Sequence, residues 1–256
     1  MKRIAPSILL LLWTLLPPGA HGQINMERFR RATPNRGFEG NLDLDLTIMT
    51  GNTDFRMIGL NSRFNYNWTN AYTFLVLNGG IGWSGGERFM DQSTAHLRHV
   101  FTLSRRLQQE SFLQFDNNRK RNLSGRELVG IGLRARLLSA RLAKLRCGAA
   151  WMYEFERYDL AAGNRHPRDL KTHRLSSYLT FELGRESGVT LLSVTYFQPA
   201  LDHWRDHRLL SENALAMTLT SFLSFKFSFN FRRDSRPPDG VRKLDTTTKS
   251  TFSVKF

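Results

Sequence analysis

Residues Leu223 to Phe231 read L-S-F-K-F-S-F-N-F, an unbroken alternation of apolar and polar side chains. A strand points successive side chains to opposite faces. Leu223, Phe225, Phe227, Phe229 and Phe231 therefore form one apolar wall, and Ser224, Lys226, Ser228, Asn230 and Arg232 form the other. The chain ends T-F-S-V-K-F, so the same beat continues through Phe252 and Val254 to Phe256. Such a segment needs an apolar medium on one side and water, or a polar interior, on the other.

The pattern recurs along the chain. Leu42, Leu44, Leu46 and Ile48 oppose Asn41, Asp43, Asp45 and Thr47, and a Gly51-Asn52 turn follows. Ile58, Leu60, Phe64, Tyr66 and Trp68 oppose Asn61, Arg63, Asn65 and Asn67. Twelve strands are predicted, at 38–49, 55–68, 72–83, 93–105, 111–119, 126–137, 145–157, 172–184, 188–198, 207–219, 221–233 and 244–256. The sixth, seventh and eleventh alternate most cleanly, whereas the registers of the third, fifth, ninth and tenth stay open. The polar face carries Asp43, Asp45, Arg63, Arg134, Arg136, Glu154, Glu156, Arg174, Glu182, Lys226 and Asp245, interspersed with Gly80, Gly82, Gly130, Gly132 and Gly148. A soluble ligand-binding barrel would turn its apolar set inward. Mixed charge with small residues suits a hydrated or salt-bridged lumen instead, with the bulky apolar face turned outward.

Connections between the predicted strands alternate in length. Ser84–Gln92, Asn117–Gly125, Tyr158–Lys171, Pro199–Asp206 and Asp234–Lys243 are long; Thr69–Ala71, Arg106–Glu110, Leu138–Lys144, Arg185–Ser187 and the joint at Thr220 are short. An even strand number with short turns at one end and longer loops at the other is the pattern of outer-membrane barrels. Both termini then lie in the periplasm and the long set outside. The fold expected is all-β, a single transmembrane antiparallel barrel over residues 37–256, preceded by a periplasmic or lumenal lead-in at 23–36.

The first residues read as a secretory leader, residues 1–22, with Lys2 and Arg3 ahead of the apolar run Ile4–Leu16 and small residues at Ala20 and Gly22. That run is short for a membrane helix of roughly 20 residues. Export explains why a net charge of +15, or +13 without Lys2 and Arg3, does not point to nucleic acid. The polyanions available outside are lipopolysaccharide phosphates and anionic lipid headgroups. Arg119, Lys120 and Arg121, and Arg232, Arg233 and Arg236, fall in or beside predicted outer loops. Clustered guanidiniums bind phosphate well, so these six are the expected lipopolysaccharide contacts, set against plain solvation of the loops. One cysteine, Cys147, excludes an internal disulfide framework.

Several short motifs in order resemble those of the YdiY-like family, described as salt-induced outer-membrane proteins of unknown function. These are Gly51-Asn52-Thr53-Asp54, Gly130-Ile131-Gly132-Leu133, the strand Ala150-Trp151-Met152-Tyr153-Glu154-Phe155-Glu156-Arg157, Asp234-Ser235-Arg236-Pro237-Pro238, and Lys243-Leu244-Asp245-Thr246. The resemblance implies an outer-membrane β-barrel and supplies no catalytic residue. Outer-membrane barrels as a class often finish in an aromatic residue read by the barrel-assembly machinery, and Phe256 with Val254 and Phe252 is similar to that signal.

Enzymatic signatures are missing: no G-x-S-x-G, no H-E-x-x-H, no phosphate-binding loop and no paired cysteines. His203 and His207 bracket Trp204-Arg205-Asp206 in a predicted loop, where they read as solvated residues. Asp202-His203 and Asp206-His207 lack a second carboxylate pair opposite them, which argues against a barrel hydrolase. His96 and His99 fall on opposite faces of one strand and cannot share a ligand. No catalytic residue, cofactor or metal is expected. Arg134 and Arg136 are expected to pair with Glu154 and Glu156 on the next strand. The expected function is passive passage, with a link to osmotic or salt adaptation implied by the resemblance alone. The alternative is a structural or surface-interaction barrel with a closed lumen.

Overall fold

The computed structural model describes residues 36–184 and 188–254. The leader, the lead-in up to residue 35, the expected short connection at 185–187, and Lys255 and Phe256 lie outside the described residues. Twelve strands follow one another: β1 (Gly37–Met49), β2 (Phe55–Asn67), β3 (Ala71–Ser84), β4 (Glu87–Thr102), β5 (Leu107–Asn118), β6 (Leu123–Ser139), β7 (Ala143–Tyr158), β8 (Asp169–Leu183), β9 (Val189–Pro199), β10 (His207–Thr218), β11 (Leu223–Asp234) and β12 (Leu244–Val254). Each pairs antiparallel with its sequence neighbours in one sheet ordered β1 to β12. Among the described residues, β1 and β12 are the two edges and no ladder joins them.

The ladder registers reveal how strongly the sheet is staggered. A row of directly paired residues begins at Ala71 and passes through Phe101, Gln109, Leu133, Ala149 and Ser177. It continues through Phe197, Leu209 and Arg233 to Leu244. Ala71 opens β3 at the end of the sheet where the chain enters β1, whereas Leu244 opens β12 at the other end. A line perpendicular to the strands thus climbs the full strand length while crossing from β3 to β12. That stagger is the shear a tilted barrel requires.

Side chains of non-neighbouring strands meet on one face, so the sheet is curled around it. The Tyr178 hydroxyl on β8 donates to Glu110 Oε2 on β5 at 3.0 Å. Arg208 on β10 reaches Glu156 Oε2 on β7 at 2.7 Å, and Arg121, from the turn after β5, reaches Asp234 Oδ2 on β11 at 3.3 Å. The opposite, convex face carries Leu42, Leu44, Ile58, Phe115, Val129, Ile131, Leu133, Trp151 and Leu179, between 41% and 72% exposed. Aliphatic and aromatic residues are on the outside and charges are on the inside.

The interior between β3 and β10 is nevertheless not wholly polar. Phe112, Leu128, Ala150 and Met152 form one buried cluster, Tyr178, Val194, Tyr196 and Leu210 a second, and Phe74 with Val76 a third. Rings from one strand lie over glycines of the next. Phe112 pairs directly with Gly130 and Tyr178 with Gly148. A methyl group on Gly130 would stand 2.2 Å from the Phe112 ring, so the aromatic occupies the space that the glycine leaves.

Two predicted loops are corrected. The expected long loop Ser84–Gln92 is a two-residue hairpin: β4 begins at Glu87, and Gly85 and Gly86 both take positive φ, 58° and 82°. Two successive left-handed residues are what a tight hairpin with the twist of its strands requires. A bulge follows, with Gly82 opposite Met90 and Trp83 opposite Arg88, leaving Phe89 unpaired. The expected Asn117–Gly125 loop likewise contracts to a single 3-10 turn, Arg119–Arg121, closed by Asn122 at φ 55°. Loop asymmetry survives in the second half of the chain, at 159–168, 200–206 and 235–243, against short joints at 140–142 and 219–222.

Candidate functional site

The chemistry of the interior concentrates near the end of the barrel that carries the longer loops. Even-numbered residues of β5 to β8, β10 and β11 face inward there, which brings guanidiniums and carboxylates of distant strands together. Glu154 lies at the centre and is fully buried. Its Oε2 accepts from Arg126 Nε at 3.1 Å and Nη2 at 2.9 Å. Its Oε1 accepts from Arg174 Nε, and both oxygens accept from Arg208 Nη1 at 2.9 Å. Arg208 also holds Glu156 through Nη2 at 2.9 and 2.7 Å and Asp234 through Nε at 3.2 Å. Arg174 donates to Asp206 Oδ1 at 3.0 Å. Charges this far from water persist only when paired and hydrogen-bonded, and here each arginine is shared between carboxylates.

Arg232 breaks that rule. Its side chain is buried on the inner face of β11, opposite Leu210, and among the described residues none of its three guanidinium nitrogens has a hydrogen-bond partner. Three guanidiniums, Arg121, Arg126 and Arg208, act on it against the carboxylate of Asp234, and Asp245 is its ladder neighbour on β12.

A second, smaller group lies deeper. Glu110 Oε2 accepts from Arg98 Nη1 at 3.2 Å as well as from Tyr178. His96 Nδ1 meets Gln114 Oε1 at 2.8 Å, and Gln114 donates to Asp116 Oδ2 at 2.6 Å. The cavity enclosed by His96, Arg98, Phe112, Arg126, Tyr196 and Gln198 has a volume of about 30 Å³. That is room for one or two waters and no solute.

Of the residues expected in the lumen, Arg63, Arg134, Glu154 and Glu156 are buried on the inner face. Asp43, Asp45 and Lys226 lie on the inner face but are exposed, because β1 and β11 sit toward the open edges of the sheet. Arg136 is exposed at the short-turn end, beside a bulge between Arg136 and Leu138. The expected pairing is corrected. Register sets Arg134 opposite Gly148 and Arg136 opposite Arg146, while Glu156 faces Arg126. Arg134 instead donates to Gln108 Oε1 at 2.8 Å. The arginines that hold Glu154 and Glu156, namely Arg126 and Arg208, were missed as site residues. Both share the inward parity of their strands, which is the signal that finds them.

The six expected lipopolysaccharide contacts divide. Arg119, Lys120, Arg233 and Arg236 are exposed, whereas Arg121 and Arg232 turn inward. The reason is parity: Arg232 alternates with outward Phe231 and Arg233, and the 3-10 turn folds Arg121 over toward Asp234. His203 is exposed, and His207 packs its ring 5.8 Å from Phe197. Asp206 is committed to Arg174. Among the described residues, no group of three or more His, Cys, Asp or Glu side chains is arranged to hold a metal ion. Phe252 and Val254 face outward on β12 and are exposed.

Outside the barrel wall, two loops are tied across the mouth. Arg165 donates through its backbone N–H and Nε to Asp239 Oδ2 at 3.0 and 3.1 Å, and through Nη2 to Oδ1 at 3.1 Å. These hydrogen bonds hold the Asp239 carboxyl below the usual carboxylate range.

No curated protein matches the chain. A solved structure described as "NanC porin structure in rhombohedral crystal form" aligns with 84% of this chain and 100% of its own, at 9% identity and a TM-score of 0.43. The family model "Protein of unknown function, DUF481" matches residues 42–256, and the chain belongs to that family.

Proposed function

We propose that the twelve-stranded sheet closes through β12 and β1 into a barrel of the bacterial outer membrane, with both termini in the periplasm, and that it provides passive passage for small polar solutes. The observation that carries this reading is the facing. An outward belt of large apolar side chains, up to 72% exposed at Leu44, surrounds an interior of buried charge. Water does not tolerate contiguous apolar surface of that extent, whereas hydrocarbon requires it. Closure follows from the same requirement, because two unpaired strand edges cannot face lipid. The stagger already present between β3 and β12 is what such closure needs.

The partners in this reading are outer-membrane lipid, lipopolysaccharide phosphates at Arg119, Lys120, Arg233 and Arg236, and the assembly machinery at the C-terminal strand. No enzymatic step belongs to it, and a place in salt adaptation rests on the resemblance to the YdiY-like family. A second reading, a closed structural or surface-interaction barrel, is favoured by the filled interior between β3 and β10. Refolded protein in a planar bilayer separates the two. Discrete single-channel currents are expected for passage; a sealed membrane with correctly folded, heat-modifiable protein rejects it in favour of the structural barrel.

A further inference from the structure

Three strands of the inner wall have a different composition from the rest. From β3 to β10 the interior holds the three apolar clusters and most of the shared ion pairs, and the cavity between His96 and Gln198, about 30 Å³, admits no solute. Across β11, β12 and β1 the inward positions carry no large apolar side chain over the middle of the strands. On β11 they are Lys226, Ser228 and Asn230, and on β12 Thr247, Lys249 and Thr251, the two sets matched by a ladder that pairs Ser228 with Lys249. On β1 they are Asn41, Asp43, Asp45 and Thr47, backed by Asn61 on β2, whose amide approaches Asp45. All of these side chains are polar, in contrast to the apolar clusters on the inner faces of β5 to β8.

We infer that the route for solutes is eccentric: a hydrophilic conduit running along β11, β12 and β1, separate from the packed half of the barrel. The inference rests on the passage reading above and deepens it by naming the path and its chemistry. Charges on this wall are arranged by side. Lys249 is the middle residue of β12 (Leu244–Val254) and Asp43 the middle residue of β1 (Gly37–Met49), so closure of the two edges would set opposite charges at similar height. Lys226 adds to the basic side and Asp45 to the acidic side. A conduit bordered by cations on one strand pair and anions on the next carries a field across its width. It suits small hydrated ions and zwitterions, which can orient in that field, and excludes apolar molecules, for which the wall offers no contact.

Thiol accessibility tests the path independently of current. With Cys147→Ser as background, Ser228→Cys and Asp43→Cys place thiols on the conduit wall, and Ser176→Cys places one in the packed half. A membrane-impermeant cationic thiol reagent is applied to the folded barrel in lipid vesicles. Ser228→Cys and Asp43→Cys are expected to react on the order of 100-fold faster than Ser176→Cys, whose reaction waits for local opening. In planar bilayers, attaching the reagent at Ser228→Cys should reduce single-channel current, and Asp43→Asn with Asp45→Asn should shift the reversal potential toward anions, Lys249→Gln toward cations. Currents unaffected by modification at either conduit thiol, or a Ser176→Cys thiol reacting as fast as Ser228→Cys, overturn the eccentric path while passage itself stands. Rapid labelling at both conduit positions in a protein that passes no current supports the hydrophilic wall and overturns passage.

Discussion

Neutralising Glu154 is the sharpest test of what holds the barrel interior together. Glu154→Gln keeps the shape of the side chain and one carbonyl acceptor but removes the charge that Arg126, Arg174 and Arg208 share. Breaking a buried pair by removing one partner costs about 3–5 kcal/mol, because the remaining ion stays desolvated. The structure places this case at the lower end. Arg208 retains Glu156 at 2.7 Å and Asp234 at 3.2 Å, Arg174 retains Asp206 at 3.0 Å, and Arg126 retains Asp116 and Glu156 at 3.7 Å. No guanidinium of the three is left wholly uncompensated. The expected loss is therefore about 3 kcal/mol. That corresponds to roughly a 100-fold shift in the folding equilibrium. Urea titration of folding into lipid vesicles, followed by heat-modifiable gel mobility, measures it. A double-mutant cycle with Arg208→Gln should show coupling of about 1–3 kcal/mol, since the second change removes a charge that the first has left under-compensated. A loss below about 0.5 kcal/mol for Glu154→Gln, or strict additivity in the cycle, would mean that water reaches these groups and that the network does not organise the interior.

Other outcomes follow from single features. Arg232→Met should be neutral or stabilising by about 1–4 kcal/mol, because it replaces an unpartnered buried charge with an apolar chain of similar length; the same urea titration decides it, and clear destabilisation would show that Arg232 has a partner in the membrane. Phe227→Arg puts a cation against lipid near mid-strand and should cost about 2–4 kcal/mol, whereas Lys226→Gln on the inner face should be mild; equal tolerance of both on heat-modifiable gels would invert the assignment of faces. Gly130→Val drives a side chain into the Phe112 ring and should lower stability by about 1–3 kcal/mol, and Phe112→Leu in the same chain should recover part of the loss. Because Asp239 is depressed in the folded state, the Arg165–Asp239 clamp is intact at neutral pH and is lost as pH falls through its folded value, below the ordinary carboxylate pKa of about 3.9. A spin label at Ala162→Cys should be immobile at neutral pH and mobile in acid, and Asp239→Asn should mobilise it at both.

How much of this was legible in the sequence depended on whether each strand separates its residue types cleanly between the two faces. β1, β6, β7 and β11 do, and alternation alone located them. The four strands whose registers stayed open are those where the inner face is itself apolar or the outer face polar. β3 sends Phe74 and Val76 inward and Leu75 and Leu77 outward, so both faces look alike. β5 does the same with Phe112 inside against Leu113 and Phe115 outside. On β9 and β10 the pattern inverts. Val194, Tyr196 and Leu210 point in, while Ser193, Thr195, Ser211 and Asn213 point out and satisfy one another, Ser193 to Asn213 at 2.7 Å and Thr195 to Ser211 at 2.9 Å. Inward-facing rings are the interior's own packing, and hydrophobicity alone cannot tell them from lipid-facing ones. The candidate site was obscured for a related reason. Which arginine meets Glu154 depends on ladder register, and register depends on where hairpins close and bulges fall. The Gly85-Gly86 hairpin with the unpaired Phe89 shows that one extra residue is enough to reverse a strand's apparent facing. Charge parity within a strand was readable; charge partnership between strands required the fold. The same parity that turns Arg126 and Arg208 inward marks β11, β12 and β1 as the wall with no large apolar side chain facing in at mid-strand, which is why that wall rather than the ion-paired centre is the place to look for passage.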